Sequence, residues 1–418
     1  MQLPDQKSFL RNKDKEVLAF FVISRIFAIF ASAVFISDVG DYQKYAQNII
    51  SLGLMPYADF SFQYPPLSLL PIYFSGIFLS EIYYKSYLII FSCLMMAIDF
   101  SCLALCRKYC QNHLKFNLSQ VNYMTLLYSL FGALLFALIY HRLDMVIAFL
   151  LISLVALSLN KEKSYSFFAL SIGGFFYKVV TVFMAPLAII LQSFALRKQK
   201  KEALLQIIKI SLIYLSLLAI LLITIDFIFS QKLIINIFNP QDQGIHIQSL
   251  YGSILLLANS TLATNFEISY NYGIFSISSS VFFEALSKIL VWLAIIAFYV
   301  SLVFSLYEKK DKKIIFDSYL FLEGCLVVMM IILSLHRVLT PQLFIWIIPL
   351  ISIYLTKNSS KFIFGSFLAI FVATFYLYHF DASDLAAEEL LKIIVLFCRN
   401  IILVILTANL TTSFFKKL

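Results

Sequence analysis

Asp38-Val39-Gly40-Asp41-Tyr42-Gln43-Lys44-Tyr45, then Gly53-Leu54-Met55-Pro56-Tyr57-Ala58-Asp59-Phe60, then Gln63-Tyr64-Pro65-Pro66-Leu67, is a polar, aromatic, turn-rich run set against one of the greasiest backgrounds a folded chain can carry. It follows directly on the first apolar stretch, near residues 16–36. It therefore places carboxylates, tyrosines and a lysine at a membrane–water boundary. A chain that needed only to turn around and re-enter the bilayer would do so in a handful of residues.

The background is what fixes the class. Of 418 residues, 61% are hydrophobic and only 13% charged, with a mean hydropathy of +0.89. That composition excludes a soluble globular domain. Apolar runs of roughly 18–23 residues recur from end to end, each long enough to cross a bilayer. The alternating pattern of a β-barrel strand is absent. The expectation is an all-α polytopic membrane protein, a single domain over 1–418.

The net charge of +9 does not point to nucleic acid, because its distribution is segregated. Lys and Arg cluster at Lys7/Arg11/Lys13/Lys15, Arg107/Lys108/Lys115, Lys161/Lys163, Arg197/Lys198/Lys200/Lys201, Lys309/Lys310/Lys312/Lys313, Lys357/Lys361 and Lys416/Lys417, the positive-inside pattern. Placing every cluster inside gives about twelve helices. They fall near 16–36, 86–106, 122–140, 143–159, 164–177, 179–196, 206–229, 284–306, 314–335, 340–356, 361–379 and 388–412, with both termini cytoplasmic. Residues 67–82 do not fit as a crossing, since counting them would export most of the basic clusters; they read as a helix along the interface. The first outer loop is then 37–85 and a second, mid-chain outer loop is 230–283. Ala31-Ser32-Ala33 resembles a signal-peptidase site, but the preceding run is long for a signal peptide and is read as retained.

Parity places a distinct set of groups on the outer face: Asp38, Asp41, Lys44 and Lys85; His141, Arg142 and Asp144; Lys178; and His336 with Arg337. Each has a bland explanation. Arg142 and Asp144 can pair and cap a helix, Lys178 can snorkel, His336-Arg337 can end a loop, and either Asp38 or Asp41 can cap a helix beginning near Tyr42. Taken together on one face they suit an anionic lipid-linked substrate. Cations pair with phosphate oxygens and offset charge on a phosphate leaving group, while a carboxylate or histidine takes a proton from an attacking hydroxyl. The six cysteines (Cys93, Cys102, Cys106, Cys110, Cys325, Cys398) lie in or at the ends of apolar runs, and no metal is expected. No nucleotide-binding or metalloprotease motif is present, so no cofactor is expected.

The run Asp41-x-x-x-Tyr45, Gly53-x-x-Pro56-Tyr57, Tyr64-Pro65-Pro66-Leu67 resembles the first outer loop of GT-C membrane glycosyltransferases, most of all the bacterial glycosyltransferase family 87 and mannosyltransferase-like branch. Arg142-x-Asp144, Lys178 seven residues before Pro186, Gly244-Ile-His246-Ile-Gln248, and Arg337-Val-Leu-Thr-Pro341-Gln342 follow in the matching order. The resemblance implies a GT-C fold whose first-loop interfacial helices cradle a polyprenyl-phosphate sugar donor. It also implies an essential aspartate there, which Asp41 matches best with Asp38 in reserve. His336 is a further catalytic candidate; Lys44, Lys85, Arg142, Lys178 and Arg337 are candidates for the donor phosphate; Tyr45, Tyr57, Tyr64, Asp144, His246 and Gln342 would support them. The chain departs from the pattern at Gln243 and Gln248, where relatives often carry acidic and arginine residues, and in having His336 alone.

The function expected is transfer of one sugar, a hexose such as mannose, from a polyprenyl-phosphate donor to a lipid or glycan acceptor at the outer leaflet of a bacterial cytoplasmic membrane. Membrane lipids are the other partners, and no nucleic acid. Asn, Gln and Tyr side chains of the mid-chain loop (Asn239, Gln241, Gln243, Asn259, Asn265, Asn271, Tyr270, Tyr272) suit either part of an acceptor wall or a solvated re-entrant loop. Two alternatives stay open: a flippase or transporter of lipid-linked saccharides, which would string charge such as Arg25, Asp99 and Asp226 through the membrane, and an O-antigen-polymerase-like enzyme.

Overall fold

A computed structural model describes residues 13–32, 38–79, 81–158, 164–196, 199–229, 233–234, 244–262, 266–271, 274–309, 317–379 and 389–418. The chain divides into two compact units, one of residues 1–241 with 313–321 and one of residues 242–312 with 322–418.

The first unit is helical. It contains α1 (Asp14–Ser32), α2 (Val39–Ile50), α3 (Leu69–Ile77), α4 (Tyr84–Asn112), α5 (Leu118–Leu134), the single turn α6 (Phe136–Ile139), α7 (Asp144–Leu157), α8 (Ser164–Tyr177), α9 (Met184–Leu196) and α10 (Lys200–Ile228). Local chemistry sets several boundaries. Asn117 and Gln120 close a reciprocal capping box at the start of α5. Pro66 opens the 3₁₀ turn Pro66–Ser68 that leads into α3. Residues 66–77 span about 18 Å at the helical rise, well short of the roughly 30 Å hydrocarbon core, so they cannot cross a bilayer alone. A second 3₁₀ turn, Val179–Phe183, joins α8 to α9. It folds back along the end of α8, where Ser171 and Thr181 exchange side-chain-to-carbonyl hydrogen bonds at 3.2 and 3.1 Å. Gly174 permits the approach, since a Cβ there would lie 2.6 Å from the Thr181 hydroxyl.

The ends of these helices sort into two groups. At one end Arg107, near the close of α4, binds Asp14 at 2.6 Å and Thr125 at 2.9 Å. At the other, Gln43 and Gln47 of α2 donate to the Ile82 carbonyl ahead of α4 at 2.6 and 2.9 Å. The turns 140–143 and 177–178 lie at that same end, through contacts described below. Between the two ends sits a fully buried ion pair, Arg25 with Asp99 at 2.7 Å.

The second unit contains β1 (Ile245–His246), α11 (Leu250–Leu262), β2 (Ile268–Asn271), β3 (Ile274–Ile277), α12 (Val281–Glu308), most of α13 (Ser318–Leu335), α14 (Ile348–Lys357), α15 (Lys361–His379) and α16 (Leu390–Lys417). The strands form a small antiparallel sheet in the order β1-β3-β2, with Ile245 opposite Ile277 and Ser269 opposite Ser276. Ile245, Ile247 and Ile277 join Tyr251, Leu255 and Leu256 of α11 and Leu377, Ile393 and Leu396 of the last two helices in one apolar core.

A helix stands over each of the twelve stretches read as spans. Among the described residues, seven are long and apolar enough to cross a membrane: Tyr84–Asn112, Val179–Leu196, Lys200–Ile228, Val281–Glu308, Ser318–Leu335, Lys361–Tyr378 and Leu390–Lys417. The mid-chain loop differs from its expected form as a polar surface. Its described parts between 244 and 277 are a sheet and a helix that share an apolar core with the last two helices, because Ile245, Ile247, Leu255 and Ile277 are buried with Leu377, Ile393 and Leu396. Asn239, Gln241, Gln243, Asn265 and Tyr272 lie outside the described residues. Asn259 uses its side-chain oxygen to hold the Phe266 amide at 2.9 Å, and Tyr270 packs on Phe275 with ring centroids 4.7 Å apart.

Candidate functional site

In the first unit two ion pairs meet at the turn between α6 and α7. Arg142 pairs with Asp38, and two residues on Asp144 pairs with Lys178 at 2.7 Å. The bland pairing of Arg142 with Asp144 is thus replaced by two pairings across the fold. Asp38 occupies the N-cap position of α2 but makes no side-chain cap bond, its carboxylate being turned to Arg142. The Arg142–Asp38 side chains are 15% and 29% exposed, so both are reachable, and the Arg142 Nε is buried without a hydrogen-bond partner. Tyr177 fixes the turn by donating to the Leu143 carbonyl at 3.0 Å.

The first-loop tyrosines form a wall beside these pairs. Tyr42, which sequence reasoning did not select, is buried and donates its hydroxyl to that of Tyr64. Burial raises the Tyr42 hydroxyl far above its ordinary range, and Tyr64 and the charge on Asp144 add to the shift. Tyr64 is raised by burial as well, with Asp144 contributing. Both phenols therefore stay protonated within the field of Asp144. Tyr57 sits in the left-handed region at φ 66°, and its hydroxyl donates to the Tyr64 carbonyl. Tyr45 stacks on Phe60 at 5.8 Å and meets Phe62 edge-on at 5.0 Å. Burial, helped by Asp41, pushes its hydroxyl up to about 12.

Asp41, the first choice from sequence, stands apart from this assembly. Its side chain is 63% exposed and its ion-pair contact is Lys44 at 3.5 Å, itself 74% exposed. The same turn of α2 that buries Val39, Tyr42 and Ala46 directs Asp41 and Lys44 outward. Lys85 is exposed in the first turn of α4. His141, beside Arg142, is buried and pushed down to about 4 by that burial.

His246, His336, Arg337 and Gln342 belong to the second unit. The His246 amide donates to the Arg337 carbonyl at 3.1 Å, which ties β1 to the turn after α13. Its ring accepts from the Gln248 amide at Nδ1, 3.2 Å away, and donates to the Leu339 carbonyl. Burial, followed by the charge of Arg399, pushes His246 down to about 3, so it is neutral at physiological pH. The His336 Nδ1 is engaged within its own turn, 2.8 Å from the Val338 carbonyl and 3.2 Å from the Val338 amide. Gln342 lies half-buried in the 3₁₀ turn Pro341–Ile347.

Sequence reasoning missed Arg399 and Asn400 on α16. Arg399 donates to the Gln248 carbonyl at 2.6 Å, and Asn400 reaches the Gln248 and Ser249 carbonyls and the Ser253 hydroxyl at 3.0–3.2 Å. The available signal was an Arg-Asn pair inside an otherwise apolar run. Among the described residues no group of three His, Cys, Asp or Glu side chains is placed to hold a metal ion. Neither a scan against protein-family models nor a search of curated proteins finds a match for this chain.

Proposed function

We propose that the protein is an integral-membrane glycosyltransferase of the GT-C kind, with about twelve spans by the positive-inside count, which moves one sugar from a polyprenyl-phosphate carrier to a lipid or glycan acceptor. Both termini would face the cytoplasm and the Asp38–Arg142 end the outer leaflet. The observation that carries the reading is the double ion pair Asp38–Arg142 and Asp144–Lys178, half-open beside a wall of protonated tyrosines.

The chemistry asked of such a site is simple. The acceptor hydroxyl gives its proton to a carboxylate as its oxygen attacks the anomeric carbon. The bond from that carbon to the phosphate oxygen breaks, and the polyprenyl phosphate leaves with the added negative charge. Arg142 and Lys178 offset that charge, and Tyr42 and Tyr64 offer hydroxyls to the sugar. Asp38 is preferred over Asp41 as the carboxylate, because it is held against a cation whereas Asp41 points to solvent. A hexose such as mannose is the first donor to try.

The test uses purified protein in liposomes with radiolabelled polyprenyl-phosphate mannose and, separately, glucose and arabinose donors. Sugar release or transfer should fall at least 100-fold in Asp38→Asn and Lys178→Met and far less in Asp41→Asn. Full turnover by Asp38→Asn, at normal expression, overturns the assignment of the carboxylate. Donor movement across the liposome without release would replace the transferase by a transporter.

A further inference from the structure

Arg25, Arg107, Arg142, Lys178, Lys392 and Lys417 each meet a carboxylate. Arg399 does not. It lies in the tenth position of α16, 1% exposed. Its Nε and Nη2 donate to the Asn400 side-chain oxygen at 3.2 and 2.9 Å, and Nη2 also to the Gln248 carbonyl at 2.6 Å. The Phe344 ring centroid is 5.7 Å from its Cζ, and Nη1 has no hydrogen-bond partner. Every acceptor it touches is neutral. A guanidinium kept dry with no counter-charge is costly, and a planar fork with one free arm is suited to an incoming oxyanion.

A second orphan sits on the segment that Arg399 grips. Gln248 is 5% exposed, and its Oε1 is buried without a hydrogen-bond partner while its main-chain carbonyl is held by both Arg399 and Asn400. His246, two residues earlier and neutral, adds no competing positive charge. The site is built into the backbone: Gly252 lets α11 close on β1, since a Cβ there would lie 2.3 Å from the His246 carbonyl. One unused cationic donor and one unused neutral acceptor, on two residues joined through the Gln248 carbonyl, call for a ligand with an anionic oxygen and a hydroxyl beside it.

We propose that Arg399 and Gln248 form a binding subsite for a phosphate group with a neighbouring hydroxyl, Arg399 Nη1 holding a phosphate oxygen and Gln248 Oε1 accepting from the hydroxyl. The subsite is separate from the residues proposed for the donor phosphate and requires no transfer reaction.

The experiment measures thermal unfolding of the full-length protein in detergent while titrating inorganic phosphate or glycerol 3-phosphate, and in lipid nanodiscs with and without phosphatidic acid. Saturable stabilisation by several degrees is expected, stronger for glycerol 3-phosphate than for phosphate. A response confined to phosphatidic acid identifies a lipid headgroup, and one shared by the soluble anions a free phosphate. Arg399→Gln should abolish the preference for glycerol 3-phosphate, and Lys416→Gln, at an exposed cation on the same helix, should keep it. Gln248→Leu retains the gripped backbone carbonyl and should weaken glycerol 3-phosphate about 10-fold, the order of one lost hydrogen bond, while sparing inorganic phosphate; this variant decides the matter if Arg399→Gln does not fold. No stabilisation of the wild type by any of these anions, an equal rise with sodium chloride at matched ionic strength, or an unchanged response in both Arg399→Gln and Gln248→Leu would overturn the subsite.

Discussion

Replacing Asp99 by Asn removes one charge from a cluster that has no access to water. Asp99 and Arg25 are both fully buried and bonded at 2.7 Å. Asp99 also accepts from Tyr128 at 2.6 Å and Tyr140 at 2.7 Å, and Arg25 further donates to the Ser129 carbonyl at 3.2 Å. Removing one member of a buried pair strands the other and costs about 3–5 kcal/mol. Asn can still accept from one tyrosine, and the other loses its partner at a cost of about 1–3 kcal/mol. The sum is a large part of the roughly 5–15 kcal/mol that holds an ordinary domain folded. Adding Arg25→Met removes the stranded guanidinium and leaves a flexible apolar chain against the Phe21 and Tyr128 rings, which Arg25 now covers at 4.6 and 5.5 Å. The double variant should therefore be more stable than Asp99→Asn alone, by about 2–4 kcal/mol. The assay is unfolding in mixed micelles followed by far-ultraviolet circular dichroism, because both tryptophans, Trp292 and Trp346, lie in the second unit. Additive single effects, or a double variant weaker than Asp99→Asn, would refute the argument.

Two further substitutions and a pH series follow from the same geometry. Gly252→Ala should cost about 1–3 kcal/mol, as overpacking does, and lower the melting point, because its Cβ would strike the main chain at His246 and Ile247 rather than a side chain that can yield. Gly53→Ala meets no atom within 4 Å, but at φ +65° it should still cost about 1–2 kcal/mol from backbone strain alone, read from the same melts. His141 and His246 are held neutral in the fold, near 4 and near 3, below the unfolded value of about 6.5. The unfolded chain therefore takes up protons first as pH falls. The stability these histidines leave intact above about pH 6.5 is lost progressively down to about pH 3–4, and His246→Gln should flatten the melting-point profile in that window.

The helices were legible because apolar runs and basic clusters are strong, local signals: Ser164–Tyr177 and Lys361–His379 begin and end where the sequence places them. The breaks were less so. Leu135 ends α5 inside the stretch 122–140 read as one span, and it is neither a Pro nor a Gly. The three strands are two to four residues long, too short for alternation to register. At the candidate site the residue types were readable and their partners were not. Arg142 and Asp144 are two apart in sequence, yet their ion-pair partners are 104 and 34 residues away, and only packing decides that. Asp41 was preferred to Asp38 for preceding Tyr45 by four residues, a spacing that does not say which face of α2 is covered.

The same pairings bear on the rival transporter. A charge that escorts a substrate through a membrane must exchange partners with it, and the cost of doing so rises with the number of bonds broken. Asp99 is held by Arg25, Tyr128 and Tyr140 at 2.6–2.7 Å with no exposure. Asp226, near the end of α10, is bonded to the Ile234 amide at 2.8 Å. Asp99 is a fixture, with three buried bonds to break. Arg142 and Asp38 are different: both are partly exposed, and the Arg142 Nε has no hydrogen bond. A phosphate arriving at Arg142 competes directly with Asp38 for the guanidinium. Binding the donor would then release the carboxylate just as an acceptor hydroxyl needs a base. On the transferase reading proposed above, that coupling between the two partners of one half-open ion pair would serve the transfer itself.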